Sequence, residues 1–247
     1  MSLTIGVLKE TAIDETRVAL TPEIAKKLIQ LNVSIVMEKG AGELSNHLDE
    51  EYEGIEFSDA SNVLKKANLL LTVQPITAEQ SNQLNQASCV VGMIFGHLNK
   101  ETVFSLKENN HISFAMELMP RISRAQSMDV LSSQAAAAGY QAVLIAATTL
   151  DKFFPMLTTA AGTIRPAQVL IIGAGVAGLQ AIATAKRLGA IVKGYDVRSA
   201  TKEQIESLGA KFVDTGVSAD GEGGYARELT DEEKSSQQTA LEEEIAN

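Results

Sequence analysis

One segment of the sequence, residues 169–196, constrains the fold more than any other. An apolar run rich in β-branched residues enters the turn Gly173-Ala174-Gly175-Val176-Ala177-Gly178, and an Ala- and Leu-rich helical pattern follows. A second apolar run then ends in Asp196. This order of strand, glycine-rich turn, helix, strand and acidic residue is that of the first half of a dinucleotide-binding fold. A βαβ unit that binds no dinucleotide is the alternative, because glycines also mark ordinary turns.

Each glycine of this turn has a different steric role. Gly173 permits the tight turn, Gly175 lets the backbone approach a pyrophosphate, and Gly178 lets the helix lie close to the strand. The pyrophosphate would face the helix N-terminus, where free N–H groups and the helix dipole favour an anion. We therefore predict that the whole turn binds the cofactor, with the candidate residues Gly173, Ala174, Gly175, Val176, Ala177 and Gly178.

Asp196 and the two residues after it bear on the identity of the cofactor. The Asp196 carboxylate would accept a hydrogen bond from a ribose 2′-hydroxyl and repel a 2′-phosphate, so NAD(H) is favoured over NADP(H). Val197 and Arg198 follow directly and are further candidate cofactor-binding residues. Arg198 could stack on adenine or accept a 2′-phosphate, and an ordinary solvated charge is the alternative.

Composition excludes several classes of protein. Of the 247 residues, 45% are hydrophobic and 21% are charged, which suits a soluble α/β protein. The formal net charge of −10 disfavours nucleic acid or an anionic lipid surface as the main partner. Cys89 is the single cysteine, and no Cys and His spacing indicates zinc, so we predict neither an internal disulfide nor a metal site. The N-terminus lacks a signal-peptide pattern and no apolar run approaches membrane-spanning length, which predicts a cytoplasmic protein without membrane insertion.

Strand and helix patterns alternate through the N-terminal half. Strands are expected at residues 4–8, 33–37, 69–73, 89–95 and 112–116. Connections of this length cross over and give mainly parallel sheets. We predict an α/β fold of two Rossmann-like lobes, residues 1–132 and 133–247, joined by a long, largely buried helix near residues 127–150.

The second lobe is expected to be incomplete in its C-terminal half. After Asp196 the patterns predict a helix at 201–208, a strand at 211–213, a Gly-rich loop at 221–224 and a charged segment to the last residue. Only the adenosine half of a dinucleotide site is therefore encoded, and we expect either a C-terminally truncated product or a second polypeptide that supplies the missing half. A third interpretation is a catalytically inactive fragment that only dimerises, since the sheet would keep an open edge.

Three further motifs carry a resemblance to a known family: GVLKE from Gly6, RVALTP from Arg17 and PRISRAQSMD from Pro120. Together with the glycine turn, they resemble the NAD(H)-binding alpha subunits, domain I, of proton-translocating NAD(P) transhydrogenases, in the same family as alanine dehydrogenase. The resemblance runs from Gly6 to about Leu241. PRISRAQSMD is its most specific segment, because alanine dehydrogenases share the opening motifs and the glycine turn but not that string.

The resemblance implies Re/Si-specific hydride transfer from NADH to NADP⁺ on a separate domain, coupled to proton movement through a membrane domain. It also implies a homodimer that works with membrane-domain and NADP(H)-binding subunits, peripheral on the inner face of the cytoplasmic membrane. Arg121, Gln126 and Asp129 would hold and orient the dihydronicotinamide, and an ordinary loop-to-helix ion pair is the alternative. Tyr225, in the sequence GGYAR, matches a loop that closes over the nucleotide; a plain solvent loop is the alternative.

Alanine dehydrogenase itself is the alternative enzyme. Its substrate-carboxylate site uses an Arg, a Lys and a His, and Arg17 and His97 match two of these positions. Gln74 stands where the Lys is expected and supplies no cation for a 2-oxo acid. The sequence therefore favours the transhydrogenase interpretation, with His97 as a relic or structural histidine.

Overall fold

The computed structural model describes residues 3–120, 122–221 and 226–246, and it divides the chain into two compact units, Met1–Val130 and Leu131–Asn247. Both units are layered α/β structures with parallel sheets, which confirms the predicted fold class.

The first unit contains a six-stranded sheet in the order β3-β2-β1-β4-β5-β6, with every pairing parallel. The strands are β1 (Thr4–Val7), β2 (Ser34–Glu38), β3 (Glu56–Ser58), β4 (Leu69–Leu71), β5 (Cys89–Gly92) and β6 (Ile112–Ala115). The helices are α1 (Pro22–Ile29), α2 (Ala60–Lys66), α3 (Ala78–Gln83) and α4 (Lys100–Glu108), with 3₁₀ turns at Glu43–Ser45, Asp49–Glu51, Met116–Leu118 and Ser123–Met128.

Helices cover both faces of this sheet, so the unit has two apolar clusters. Val36, Leu70 and Val90 are buried in one cluster, and Val7 and Met37 in the other. Successive strands are added on one side of β1 up to β3 and on its other side from β4 onward, so the strand order reverses between β1 and β4. The carboxyl ends of strands at such a point form a crevice where α/β proteins bind ligands.

The long helix α5 (Val130–Thr149) is present where a helix was predicted, but it is not largely buried as expected. Of its described residues only Gly139 and Val143 are buried, while Tyr140 and Ile145 are about half exposed at 50% and 56%. The prediction was wrong because an Ala-rich apolar helix does not have to be covered by its own chain. An apolar composition indicates that a helix surface favours burial, but it does not indicate which molecule covers that surface.

This helix also corrects the expectation about membrane-spanning length. Val130–Thr149 is 20 residues long and, by length and composition alone, apolar enough to cross a membrane. Apolar core helices of soluble proteins satisfy the same criterion. Scattered Ser, Gln and Thr residues interrupt any continuous apolar run, which is why the sequence pattern did not show it.

The second unit contains a three-stranded parallel sheet in the order β11-β10-β9 and a separate antiparallel hairpin. The hairpin is β7 (Leu157–Thr159) and β8 (Gly162–Ile164); the sheet strands are β9 (Gln168–Ile172), β10 (Ile191–Tyr195) and β11 (Lys211–Phe212). The helices after α5 are α6 (Val176–Arg187), α7 (Thr201–Ser207) and α8 (Asp231–Ala246). The first strand of the nucleotide motif, β9, therefore lies at one edge of its sheet.

Candidate functional site

The glycine turn joins β9 to α6 with a geometry that only glycine satisfies at two positions. Gly173 has a φ of +95°, which side chains rarely adopt, and its N–H donates to the carbonyl of Tyr195 over 2.7 Å. A Cβ on Gly178 would overlap the carbonyl oxygen of Gly173, so the first turn of α6 lies directly against the loop. A Cβ on Gly175 would meet no atom within 4 Å, so the loop is open at its N-cap position.

A second helix supports this turn from behind. A Cβ on Gly139 of α5 would overlap the carbonyl oxygen of Ala177, so α5 packs backbone to backbone against the glycine turn. Gly139 was not among the predicted site residues. Its signal was a single glycine inside an Ala-rich helix, which is costly in a helix unless close packing requires it.

Asp196 follows β10 and is 8% exposed. Its Oδ2 accepts hydrogen bonds from the backbone N–H of Ala174, at 2.7 Å, and from Nη2 of Arg198, at 2.8 Å. Its Oδ1 accepts from the backbone N–H and from Nε of Arg198, at 2.9 and 2.8 Å. The acidic residue and the glycine turn are thus directly connected, and Arg198 is the partner of Asp196 rather than a solvated charge.

These contacts keep Asp196 ionised. Burial opposes the charge, but the hydrogen bonds from Arg198 and Ala174 outweigh it, and the pKa of the Asp196 carboxyl lies below its ordinary value. The side-chain hydrogen bonds between Arg198 and Asp196 also raise the pKa of the Arg198 guanidinium. The pair is therefore charged throughout the neutral pH range.

The turn fits the phosphates of a dinucleotide. The backbone N–H groups of Val176, Ala177 and Gly178 belong to the first turn of α6, where no preceding helical carbonyl can accept from them. Gly175 and Val176 are exposed beside them. An anion of pyrophosphate size would meet N–H donors and the positive end of the helix dipole here.

The segment after β11 is tied to the loop that carries Arg198. The backbone N–H of Ser199 donates to Asp220 over 2.8 Å, and the N–H of Ala219 donates to the carbonyl of Val197 over 2.8 Å. Val197 contacts this segment through its backbone. Tyr225, the predicted loop residue, lies outside the described residues.

Two residues of the predicted nicotinamide-binding trio are described, and both belong to the first unit. Gln126 is exposed in the 3₁₀ turn Ser123–Met128, and the N–H of Asp129 donates to its carbonyl over 3.2 Å. Arg121 lies outside the described residues.

Two of the three residues compared with the alanine dehydrogenase site, Arg17 and Gln74, contact one carboxylate in the first unit, that of Glu15. Arg17 donates through Nε and Nη2 to Glu15, at 2.7 and 2.6 Å, and Gln74 donates through Nε2 to the same carboxylate. The hydrogen bonds from Arg17 lower the pKa of the Glu15 carboxyl to about 2 in spite of burial. His97 is exposed after β5. The Arg17 guanidinium is thus neutralised by the protein itself.

Two family models match this chain over most of its length. The model described as the N-terminal domain of alanine dehydrogenase/PNT matches residues 6–138, and the model described as the C-terminal domain matches residues 142–247.

The relatives include a polypeptide of Rickettsia prowazekii named as the first portion of NAD(P) transhydrogenase subunit alpha. It is 46% identical over 96% of this chain and 64% of its own length. The corresponding polypeptide of Rhodospirillum rubrum is 45% identical over 98% of this chain and 66% of its own length. A solved transhydrogenase structure from Sinorhizobium meliloti matches with a TM-score of 0.87 and 43% identity, over 99% of this chain and 67% of that chain.

Similarity to alanine dehydrogenases is lower. The Mycobacterium tuberculosis enzyme is 26% identical over 84% of this chain. The chain spans slightly less than two thirds of the curated transhydrogenase subunits it matches. The similarity therefore favours a transhydrogenase subunit over an amino-acid dehydrogenase.

Proposed function

Because the chain belongs to the alanine dehydrogenase/PNT family, we propose that it is the NAD(H)-binding component of a proton-translocating NAD(P) transhydrogenase. The observation that carries this proposal is the open glycine turn at the N-terminus of α6, with the Asp196 carboxylate hydrogen-bonded to its second residue. The identity of 45 to 46% with transhydrogenase alpha subunits supports it.

Within this proposal, the second unit binds the adenosine and pyrophosphate moieties of the cofactor. The pyrophosphate lies over Gly175 and accepts from the N–H groups that begin α6. Asp196 accepts from the hydroxyls of the adenosine ribose, which favours NAD(H) over NADP(H). Val197 and Arg198 border the ribose because they continue the loop from Asp196.

The bound dihydronicotinamide supplies the hydride, and NADP⁺ on a partner subunit accepts it at C4. The chain needs no general acid or base for this step, because no proton moves between the two rings. Its task is to hold one ring in position and to exclude water. We assign that role to Arg121, Gln126 and Asp129 in the first unit and the role of a closing residue to Tyr225.

We further propose that the chain forms a homodimer through the exposed apolar surface of the second unit. Tyr140 and Ile145 of α5 are exposed in this unit, and so are Phe153, Met156 and Ile164, which are between 47% and 62% exposed. Surfaces of this kind mark contacts with other chains. Light scattering after size exclusion is expected to give twice the chain's 26.3 kDa, and Ile145→Glu is expected to give the monomer. A monomeric wild-type chain would contradict the dimer.

The partners of this dimer are the membrane-domain and NADP(H)-binding subunits of the same enzyme. They would hold the chain against the inner face of the cytoplasmic membrane, with no membrane insertion by the chain itself.

The test of the function is a titration of the purified chain with NADH, with NADPH as control. Because the chain has no tryptophan, the emission of the reduced cofactor is free of the usual protein signal. We expect saturable binding of NADH and much weaker binding of NADPH. Binding of neither would contradict the proposal and support the inactive, dimerising fragment.

The amino-acid dehydrogenase alternative is not favoured by the site. A 2-oxo acid needs a free cation for its carboxylate. The Nε and Nη2 groups of Arg17 are instead hydrogen-bonded to the carboxylate of Glu15. Reduction of pyruvate in the presence of ammonia and NADH by the purified chain would restore that alternative.

A further inference from the structure

We propose that the side chain of Arg198 occupies the ribose site and that NAD(H) must displace this side chain to bind. Arg198 thereby sets how strongly the chain prefers NADH over NADPH. This inference rests on the proposed function, since it concerns the same cofactor site.

The hydrogen bonds of Asp196 show why displacement is required. A carboxylate offers about four lone-pair positions to donors. All four are used: Oδ1 by two groups of Arg198 and Oδ2 by Ala174 and Nη2 of Arg198. A ribose hydroxyl can therefore donate to Asp196 only if one of these donors leaves.

The side chain of Arg198 is the donor that can leave. The N–H of Ala174 belongs to the glycine turn, and the N–H of Arg198 belongs to the backbone of the loop. The guanidinium is carried by a long, rotatable side chain that is 27% exposed. Its departure breaks the two hydrogen bonds from Nε and Nη2 and leaves Asp196 with two acceptor positions for the two ribose hydroxyls.

Hydrogen bonds other than those of the guanidinium also hold the backbone of the loop. The carbonyl of Arg198 accepts from Oγ1 of Thr201 over 2.7 Å, and the neighbouring Ser199 N–H is bound by Asp220. Val197 is held through its carbonyl by Ala219. The side chain can therefore move while the backbone beside the ribose stays in place.

The displaced guanidinium has opposite effects on the two cofactors. For NADH it is a competitor, because its ion pair with Asp196 must be broken before the ribose can bind. For NADPH it is a counter-charge, because it remains within reach of a 2′-phosphate and offsets the repulsion from Asp196. Arg198 thus lowers affinity for NADH, raises affinity for NADPH, and narrows the difference between them.

The experiment measures the Kd of NADH and of NADPH, by cofactor emission, for the full chain and for Arg198→Ala. We expect Arg198→Ala to bind NADH roughly tenfold more tightly and NADPH roughly tenfold more weakly, the scale of one charge-assisted hydrogen bond for each cofactor. Arg198→Lys separates the two effects: it retains the charge but cannot pair bidentately, so NADH affinity rises while NADPH affinity is retained.

The matched control is Arg17→Ala, because Arg17 makes the same three hydrogen bonds to Glu15 that Arg198 makes to Asp196. It is expected to leave both Kd values unchanged, and circular dichroism of each variant checks that it folds. An Arg198→Ala variant that is folded and binds NADH more weakly, or leaves the NADH to NADPH ratio unchanged, overturns this inference alone. A wild-type chain that binds neither cofactor overturns the proposed function as well, so the two failures are distinct.

Discussion

The parallel sheets of the two units begin in the same way, but their first strands lead into different loops. Both sheets place their first three strands in the order 3-2-1. Both units also contain a carboxylate that forms a hydrogen-bonded ion pair with the arginine two residues later. In the second unit the first strand leads into glycines and a helix N-terminus. In the first unit it leads to Glu10, whose carboxylate accepts from the N–H groups of Val73 and Gln74.

Under the proposed function, this difference determines which ligand each of these two loops can accept. Glu10 and Glu15 place carboxylates at the carboxyl ends of β1 and β4, where a phosphate would be repelled. Burial raises the pKa of the Glu10 carboxyl, which shows how poorly this crevice solvates a negative charge. Strand order and the ion pair are common to both units, so under the proposed function the loop after the first strand is the feature that selects for a dinucleotide.

The largest expected effect is on the stability of the second unit. Gly178→Ala places a methyl group on the carbonyl of Gly173, a backbone atom that cannot move aside, and we expect a loss of about 3 kcal/mol together with loss of NADH binding. Gly6→Ala in β1 is the counterpart in the first unit. Its methyl group would lie 2.6 Å from the Cβ of Ala67, a less severe overlap than that between a Cβ on Gly178 and the carbonyl oxygen of Gly173, so we expect a smaller loss.

Thermal denaturation followed by circular dichroism compares these two variants. Equal destabilisation by Gly6→Ala and Gly178→Ala would contradict the view that the glycine turn of the second unit is the more tightly constrained of the two.

A second variant separates binding from stability. Gly175→Leu adds a side chain that meets no atom of the protein at its Cβ, but fills the space where the pyrophosphate would lie. We expect NADH affinity to fall by about a hundredfold, with a melting temperature within a degree or two of wild type. Unchanged NADH affinity would place the cofactor elsewhere and remove the functional contrast between the loops that follow β1 and β9.

The smallest effect concerns the ion pair of the first unit. Glu15 has a folded-state pKa of about 2 against an ordinary value of 4.5, so its ionised form stabilises the fold above about pH 4.5, and this contribution is lost as the pH falls toward 2. Glu15→Gln should therefore cost roughly 2 kcal/mol at pH 7 and progressively less below pH 4.5.

Urea denaturation at a series of pH values measures this difference, and NADH titration of the same variant is expected to be normal. A stability difference that grows on acidification would reverse the sign and refute the assignment of the charge to Glu15.

Local sequence patterns were sufficient to predict the elements that follow general rules of strand, turn and helix formation. The glycine turn, the acidic end of β10 and the parallel first sheet follow from spacing and β-branched composition. Strand β3 was missed because Glu56–Ser58 is short and only Phe57 is apolar. The pairing of Arg198 with Asp196 and the contact of Gly139 with Ala177 could not be predicted, because each depends on side-chain choice or on packing between distant segments.

The contact between Gly139 and Ala177 links the exposed helix to the nucleotide turn mechanically. Backbone meets backbone there, with no flexible side chain to absorb a displacement. A shift or rotation of α5 must therefore move the first turn of α6 or separate the two helices. Under the proposed function, a chain whose binding shifts α5 is therefore coupled in free energy to cofactor binding at the turn, and by reciprocity the cofactor alters the affinity of that chain for α5 to the same extent.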